Sequence, residues 1–289
     1  MPTKKEKDKY QAAETTGHEW DGIQELDTPL PRWWLYVFYA CIAWSLVYFV
    51  LYPAWPGFTG YTKGVLGWSM REEIEVKLTE ARAKQAKFVD RIKASSVEEI
   101  QKTKELLDFS LVGGRAIFAD NCAPCHNVAG TGRKAFPALA DDVWIWGGTL
   151  KDIEKTIAFG VRNEHPNARQ SIMPSFGADG VLKPEQVNDV AEYVMGLNKR
   201  ATDNAAAKRG EEIYRAQCVA CHGDNALGKA DQGAPPLQTQ IWLYGGDKAA
   251  IVAQIHKPQL GVMPAWAGRL EPAAIKMLTI YVHSLGGGK

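Results

Sequence analysis

Cys122-Ala123-Pro124-Cys125-His126 and Cys218-Val219-Ala220-Cys221-His222 decide how the rest of this chain is read. Cysteines at i and i+3 of a helical turn face the same way, so both can reach one planar group while the adjoining histidine lies beneath it. Two thioethers to the vinyl groups of a single porphyrin, with an imidazole on its iron, satisfy that spacing, and CxxCH is the attachment signature of c-type haem. A zinc site made from the four cysteines is the competing arrangement. Structural zinc pairs usually sit within a few tens of residues of each other, and these lie about a hundred apart. Zinc also leaves both histidines unexplained, and a thioredoxin-like redox pair needs a βαβ setting that the sequence lacks.

Both motifs lie inside an internal repeat. Gly114, Ile117 and Phe118 precede the first motif, and Gly210, Ile213 and Tyr214 precede the second at the same distances. Trp144-Ile145-Trp146-Gly147-Gly148 is echoed by Trp242-Leu243-Tyr244-Gly245-Gly246, and Ile172-Met173-Pro174-Ser175-Phe176 by Val262-Met263-Pro264-Ala265-Trp266. Helical stretches close both copies, with Tyr193, Val194 and Leu197 in one and Tyr281, Val282 and Leu285 in the other. The pattern predicts an all-α protein with tandem cytochrome c domains over residues 108–200 and 205–289.

Each repeat offers one set of haem-binding residues. Cys122, Cys125 and His126 serve the first and Cys218, Cys221 and His222 the second, with His126 and His222 as iron ligands. Met173 and Met263 hold matching places before a proline and are the expected sixth ligands. Methionine opposite histidine raises the reduction potential, which suits electron relay. Met195 and Met277 fall in the closing helices and read as core, while His165, His256 and His283 have no repeat equivalents. Pro137-Ala138-Leu139 and Pro235-Pro236-Leu237 follow the histidines at similar distances, and a proline carbonyl there could accept the second imidazole N–H and fix the ring. Trp144 and Trp242 are expected to wall the haems or simply to pack in the core. Arg162 is a candidate partner for a haem propionate or an ordinary solvated arginine.

The N-terminal part reads differently. Residues 33–55 form 23 positions without a formal charge, with Trp33, Trp34 and Tyr36 at one end and Tyr52 and Trp55 at the other. That is one transmembrane helix with aromatic belts, which Pro53 and Pro56 then break. A cleaved signal peptide fits less well, because a long polar tail precedes the stretch and no small-residue cleavage site follows it. Lys4, Lys5, Lys7, Lys9 and Arg32 precede the span while Lys63 and Arg71 follow it. The basic asymmetry predicts a cytoplasmic N-terminus, a single pass of a bacterial inner membrane and periplasmic haem domains.

Residues 1–32 are expected to be a tail of little structure, and residues 56–107 a helical spacer, solvated or packed on a partner. Ser69 with Glu72 marks a helix start there, and Ser95-Ser96 an end followed by a new start near Val97. Cys41, inside the span, reads as a packing residue. A formal net charge of +1 over 289 residues gives no electrostatic reason to expect nucleic acid.

The order of tail, anchor, spacer and two CxxCH domains resembles, over essentially the whole length, the dihaem subunit of cbb3-type cytochrome c oxidases, CcoP or FixP. The resemblance implies a non-catalytic subunit with two covalent haem c groups, with no catalytic residues of its own. It would take electrons from a donor cytochrome c and pass them, through a monohaem c subunit, toward the haem–copper subunit that reduces oxygen. A cytochrome bc1 complex is a further implied neighbour. Each methionine either serves its own repeat's haem or is exchanged between repeats; the resemblance favours exchange, and the spacing allows both. A free-standing anchored dihaem shuttle fits nearly the same residues. A dihaem peroxidase-like enzyme would need an open coordination position, where both repeats offer a methionine.

Overall fold

The structure, a computed structural model, describes residues 14–286 and divides between Ala83 and Lys84 into two units. In the first unit, β1 (Thr15–Trp20) pairs antiparallel with β2 (Ile23–Leu26). The residues expected to have little structure therefore form a hairpin from Thr15 onward, and the lysine-rich start lies outside the described residues. The reason is local: Asp21 and Gly22 both take left-handed backbone, φ 49° and 82°, as a two-residue hairpin turn requires.

Helix α1 (Arg32–Leu51) has 20 residues, enough for about 30 Å of membrane. None of its side chains is buried within the chain, as lipid or partner helices would require. The apolar stretch continues to Trp55, but the helix stops at Leu51. Tyr52, directly before Pro53, is driven into extended backbone at φ −116°. The chain then folds back through the short strands β3 (Pro56–Gly57) and β4 (Gly60–Tyr61). The N–H groups of Val65 and Leu66 donate to the carbonyls of Val50 and Leu51, satisfying acceptors that a helix end leaves unpaired.

Helix α2 (Met70–Ala94) begins where Ser69 accepts from the Glu72 N–H at 3.5 Å. Ile74 and Leu78 on its first half are exposed. From Lys84 onward one face of the spacer packs on the chain's own core, while Lys84, Gln85, Lys87, Asp90 and Arg91 stay exposed. Phe88, Val89 and Ile92 pack with Val97 and Ile100 of α3 (Val97–Lys102), and Ile92 and Ile100 are fully buried. Ser96 starts α3 through a reciprocal capping box with Glu99.

The remaining helices are α4 (Lys104–Asn121), α5 (Ala123–His126), α6 (Leu150–Phe159) and α7 (Pro184–Leu197) in the first repeat. The second repeat supplies α8 (Asn204–Gln217), α9 (Val219–His222), α10 (Lys248–His256) and α11 (Pro272–Ser284). Their pairing crosses the repeat boundary. Helix α4 packs on α11, and α8 packs on α7, so each repeat receives its closing helix from the other.

The two repeat glycines mark these crossings. A Cβ at Gly114 would collide with the Met277 carbonyl and with Tyr281, and one at Gly210 with the backbone of Asp189 and Val190. Polar contacts secure the exchange. Arg209 on α8 makes a bidentate pair with Asp189 on α7, at 2.9 and 2.7 Å. The fully buried Glu192 on α7 accepts from Lys248 Nζ at 2.6 Å, from Thr202 Oγ1 at 2.7 Å, and from the N–H groups of Thr202 and Asp203. Lys276 on α11 donates to the carbonyls of Lys93 and Ser95 at the end of α2.

Alanine in place of a helical glycine ordinarily stabilises by about 0.4–1 kcal/mol through the unfolded state. At Gly196, where a Cβ meets only Ala201 at 3.6 Å, that gain should appear in thermal melts of the holoprotein. At Gly114 or Gly210 the sign should reverse, with a loss of about 1–3 kcal/mol from overpacking.

The bonds to Glu192, foremost that of Lys248 and then that of Thr202, hold its carboxyl down at about 2. Its folded value lies below the ordinary 4.5, so the stabilisation is complete above that pH and is lost as pH falls toward 2. Glu192→Gln should therefore be less stable at neutral pH by about 1–3 kcal/mol. The gap to the unaltered protein should close as melts are taken at successively lower pH through that window.

Candidate haem crevices

Each motif is built by one turn of helix stopped by a left-handed residue. Cys122 ends α4, and its carbonyl accepts from the N–H groups of Cys125 and His126. Asn127, at φ 64°, turns the chain away, as Gly223 does at φ 80° after His222. The returning loops then place a proline carbonyl under each ring. His126 Nδ1 lies 2.9 Å from Pro137 O, and His222 Nδ1 lies 3.0 Å from Pro235 O. A carbonyl only accepts, so Nδ1 carries the proton and donates, leaving the Nε2 lone pair for iron. Burial pushes both imidazoles down, against the opposing pull of the proline bond, which keeps them neutral.

The thiols of Cys122 and Cys218 are pushed up to about 11 by burial and, secondarily, by Cys125 and Cys221. Zinc would require them as thiolates. Among the described residues no group of three or more His, Cys, Asp or Glu side chains converges.

The methionines lie in the crevices opposite to their own repeats. Met263 packs with Cys122, Trp144 and Phe118, the cluster closed by Leu278 and Val282 of α11. Its backbone is gripped by the first repeat. Val161 and Met263 exchange two hydrogen bonds of 3.0 Å, and Asn163 Nδ2 donates to Met263 O at 2.8 Å. Met173 packs with Cys218, Trp242 and Val194 of α7. With Cys218, Cys221 and His222 it lines a largely apolar cavity of about 280 Å³. Met195 and Met277 are buried in the core. His165 stacks on Phe159, and His256 backs onto Gly177.

Residues 12–59 match the family described as the N-terminal domain of cytochrome oxidase-cbb3, FixP. Residues 111–198 match cytochrome c, and residues 205–282 match cytochrome c oxidase, cbb3-type, subunit III. The cbb3-type cytochrome c oxidase subunit CcoP of Azospirillum brasilense is 56% identical, covering 99% of each chain. The subunit FixP of Bradyrhizobium sp. (strain ORS 278) is 46% identical over the full length of both, and that of Azorhizobium caulinodans 49% identical over 95% of this chain and 94% of its own. This chain belongs to the CcoP/FixP family of oxidase subunits. It is an electron-transfer subunit of that oxidase, with other oxidase subunits as its partners, and an apolar N-terminal helix that fits a membrane anchor.

Haem, implied by both cytochrome c domains, fits the polar atoms of these crevices. Trp144 Nε1 and Trp242 Nε1, one in each, are buried without a hydrogen-bond acceptor. Arg200 lies 5.9 Å over the Trp242 ring with Nε and Nη2 equally unpartnered, and Arg169 Nε is unpartnered beside Trp146. Each such donor costs about 1–3 kcal/mol unless something accepts from it, and an anionic propionate is an acceptor of the right kind.

The sequence had pointed to the tryptophans but not to the two arginines. Counted from Tyr193 and Tyr281, Arg200 corresponds to Gly288, and counted from the methionines, Arg169 corresponds to Gln259. Matching the repeats therefore could not find them. Arg162, the arginine that the sequence did suggest, bonds backbone carbonyls of Gly261 and Ser171 and lines the cavity that holds Met173.

Proposed function

We propose that this chain is a dihaem relay of a cbb3-type cytochrome c oxidase, and that its two crevices are completed by exchanged methionines. His126 and Met263 would hold the haem bound through Cys122 and Cys125; His222 and Met173 would hold the one bound through Cys218 and Cys221. A c-type haem held in this way takes up and releases one electron, at a potential that histidine–methionine ligation raises. The chain's own residues supply the rest. The proline carbonyls fix both imidazole planes, the apolar walls exclude water, and the indole and guanidinium donors would receive the propionates.

The observation that supports this reading is that a methionine from the other repeat packs into the cluster holding each motif's first cysteine, beside a histidine whose Nδ1 is anchored on a proline carbonyl. With histidine and methionine both on iron, a relay would be favoured and no position would remain for an enzyme's substrate, so the subunit is non-catalytic in this reading. Electrons would enter from a donor cytochrome c, with a cytochrome bc1 complex upstream, and leave through a monohaem c subunit toward the haem–copper subunit. The haem domains would lie on the periplasmic side of an inner membrane, opposite a cytoplasmic N-terminus.

The denatured polypeptide should keep two covalent haems, and the Cys122→Ala/Cys125→Ala variant one; loss of both on acid-acetone extraction would refute the assignment. In that single-haem variant, Met173→Ala should make the reduced protein bind carbon monoxide, whereas Met263→Ala should not. The opposite result would return each methionine to its own repeat. Protease added to the periplasmic face of native-orientation vesicles should cleave beyond Tyr61 and spare the N-terminal tail; cleavage confined to the tail would invert the topology.

A further inference from the structure

Arg162 joins two segments that lie far apart in sequence. It is half-buried, in left-handed backbone at φ 51°, within a loop closed by its own N–H to Arg169 O and by the Arg169 N–H to Gly160 O. Its side chain forks. Nε donates to Gly261 O at 2.7 Å, and Nη1 to Ser171 O at 3.4 Å. Gly261 stands two residues before Met263, and Ser171 two residues before Met173. One guanidinium therefore holds the approach to both methionines.

The methionines depend on it unequally. Met263 has three further hydrogen bonds to its backbone, from and to Val161 and from Asn163. Among the described residues no hydrogen bond holds the backbone of Met173, and the adjoining Ile172 is 73% exposed. Arg162 also lines the cavity that contains Met173, Cys218 and His222. Its position has two consequences: the Met173 segment is tied down through Ser171, and a positive charge sits in the wall of the second crevice. A cation there disfavours the more positive, oxidised state of a haem and raises its potential.

We propose that Arg162 is a positioning residue shared by both sites. It ties the Met173 segment to the anchored Met263 segment, and it sets the potential of the haem bound at Cys218 and Cys221 more than that of the other. This rests on the methionine ligation proposed above.

The full dihaem protein carries the test, with haem content measured first. In ferric protein the far-red charge-transfer band reports methionine on iron, redox titration gives both midpoint potentials, and carbon monoxide reports an open position on reduced haem. Arg162→Gln should keep two haems, lose up to half of the band, lower one midpoint and admit carbon monoxide at one haem. Arg162→Lys keeps the charge but cannot span both carbonyls, so it should lose part of the band with a smaller fall in potential. It also gives the readout should Arg162→Gln fail to accumulate. The exposed Arg215→Gln, which loses only a pair with Glu211, should leave all three readings unchanged. A full band, unchanged potentials and no carbon monoxide binding in either Arg162 variant would overturn the inference while leaving methionine ligation standing. Absence of the band in the unaltered protein would overturn the ligation reading, and this inference with it.

Discussion

The crossing of α4 with α11 and of α8 with α7 is the contact on which the haem-binding unit depends. Each crossing is close because a glycine replaces a side chain at its centre, so that backbone meets backbone at Gly114 and Gly210. Close approach lets the flanking Phe118 and Tyr214 be buried completely, each about one helical turn before its cysteine pair. The turn carrying the cysteines and histidine is thus fixed to a helix whose far side is supplied by the other repeat. Neither repeat can finish its core alone. The exchange also brings the charged anchors of α7, Asp189 and Glu192, to partners on α8, the segment before it and α10.

The exchange makes the two crevices mechanically dependent. The first holds Met263 in a segment that the first repeat grips by paired backbone bonds, whereas the second holds Met173, whose own backbone makes no hydrogen bond among the described residues and whose segment Arg162 reaches at the Ser171 carbonyl. Sequence repeats that look equivalent therefore differ in how firmly they hold the matching methionine. The cations differ as well, since Arg200 and Arg162 belong to the second crevice and neither has a counterpart at the matching position of the other repeat. For a relay, unequal surroundings are the simplest source of unequal potentials, because burial and nearby charge act on each haem separately.

The first unit shows how its apolar helix, which fits a membrane anchor, ends where the chain turns back. Proline at position 53 stops α1, and the returning backbone of Val65 and Leu66 takes up the last carbonyls. That return takes the place of hydration at the helix end.

Much of this protein is legible in its sequence because the signals are local. CxxCH fixes a single helical turn and the apolar run a long helix, though Pro53 ends it before Trp55; Ser96 with Glu99 and the prolines after each histidine act over a few residues, and the structure places these as the spacing implies. The Asp21-Gly22 hairpin was equally local and was there to be read. Partnership across the repeat boundary was not. The closing helices carry nearly the same apolar face, so α7 and α11 each satisfy the period that α4 or α8 requires, and the pattern is identical for self-pairing and exchange. What decides between them is three-dimensional: which helix backbone lies against each glycine, where Asp189 and Glu192 find cations, and whether the connecting chain can reach. The same holds for Arg162, Arg169 and Arg200. A guanidinium on a loop reads alike whether solvated or buried, and only the packing of both repeats around it determines which carbonyls, or which crevice, it serves.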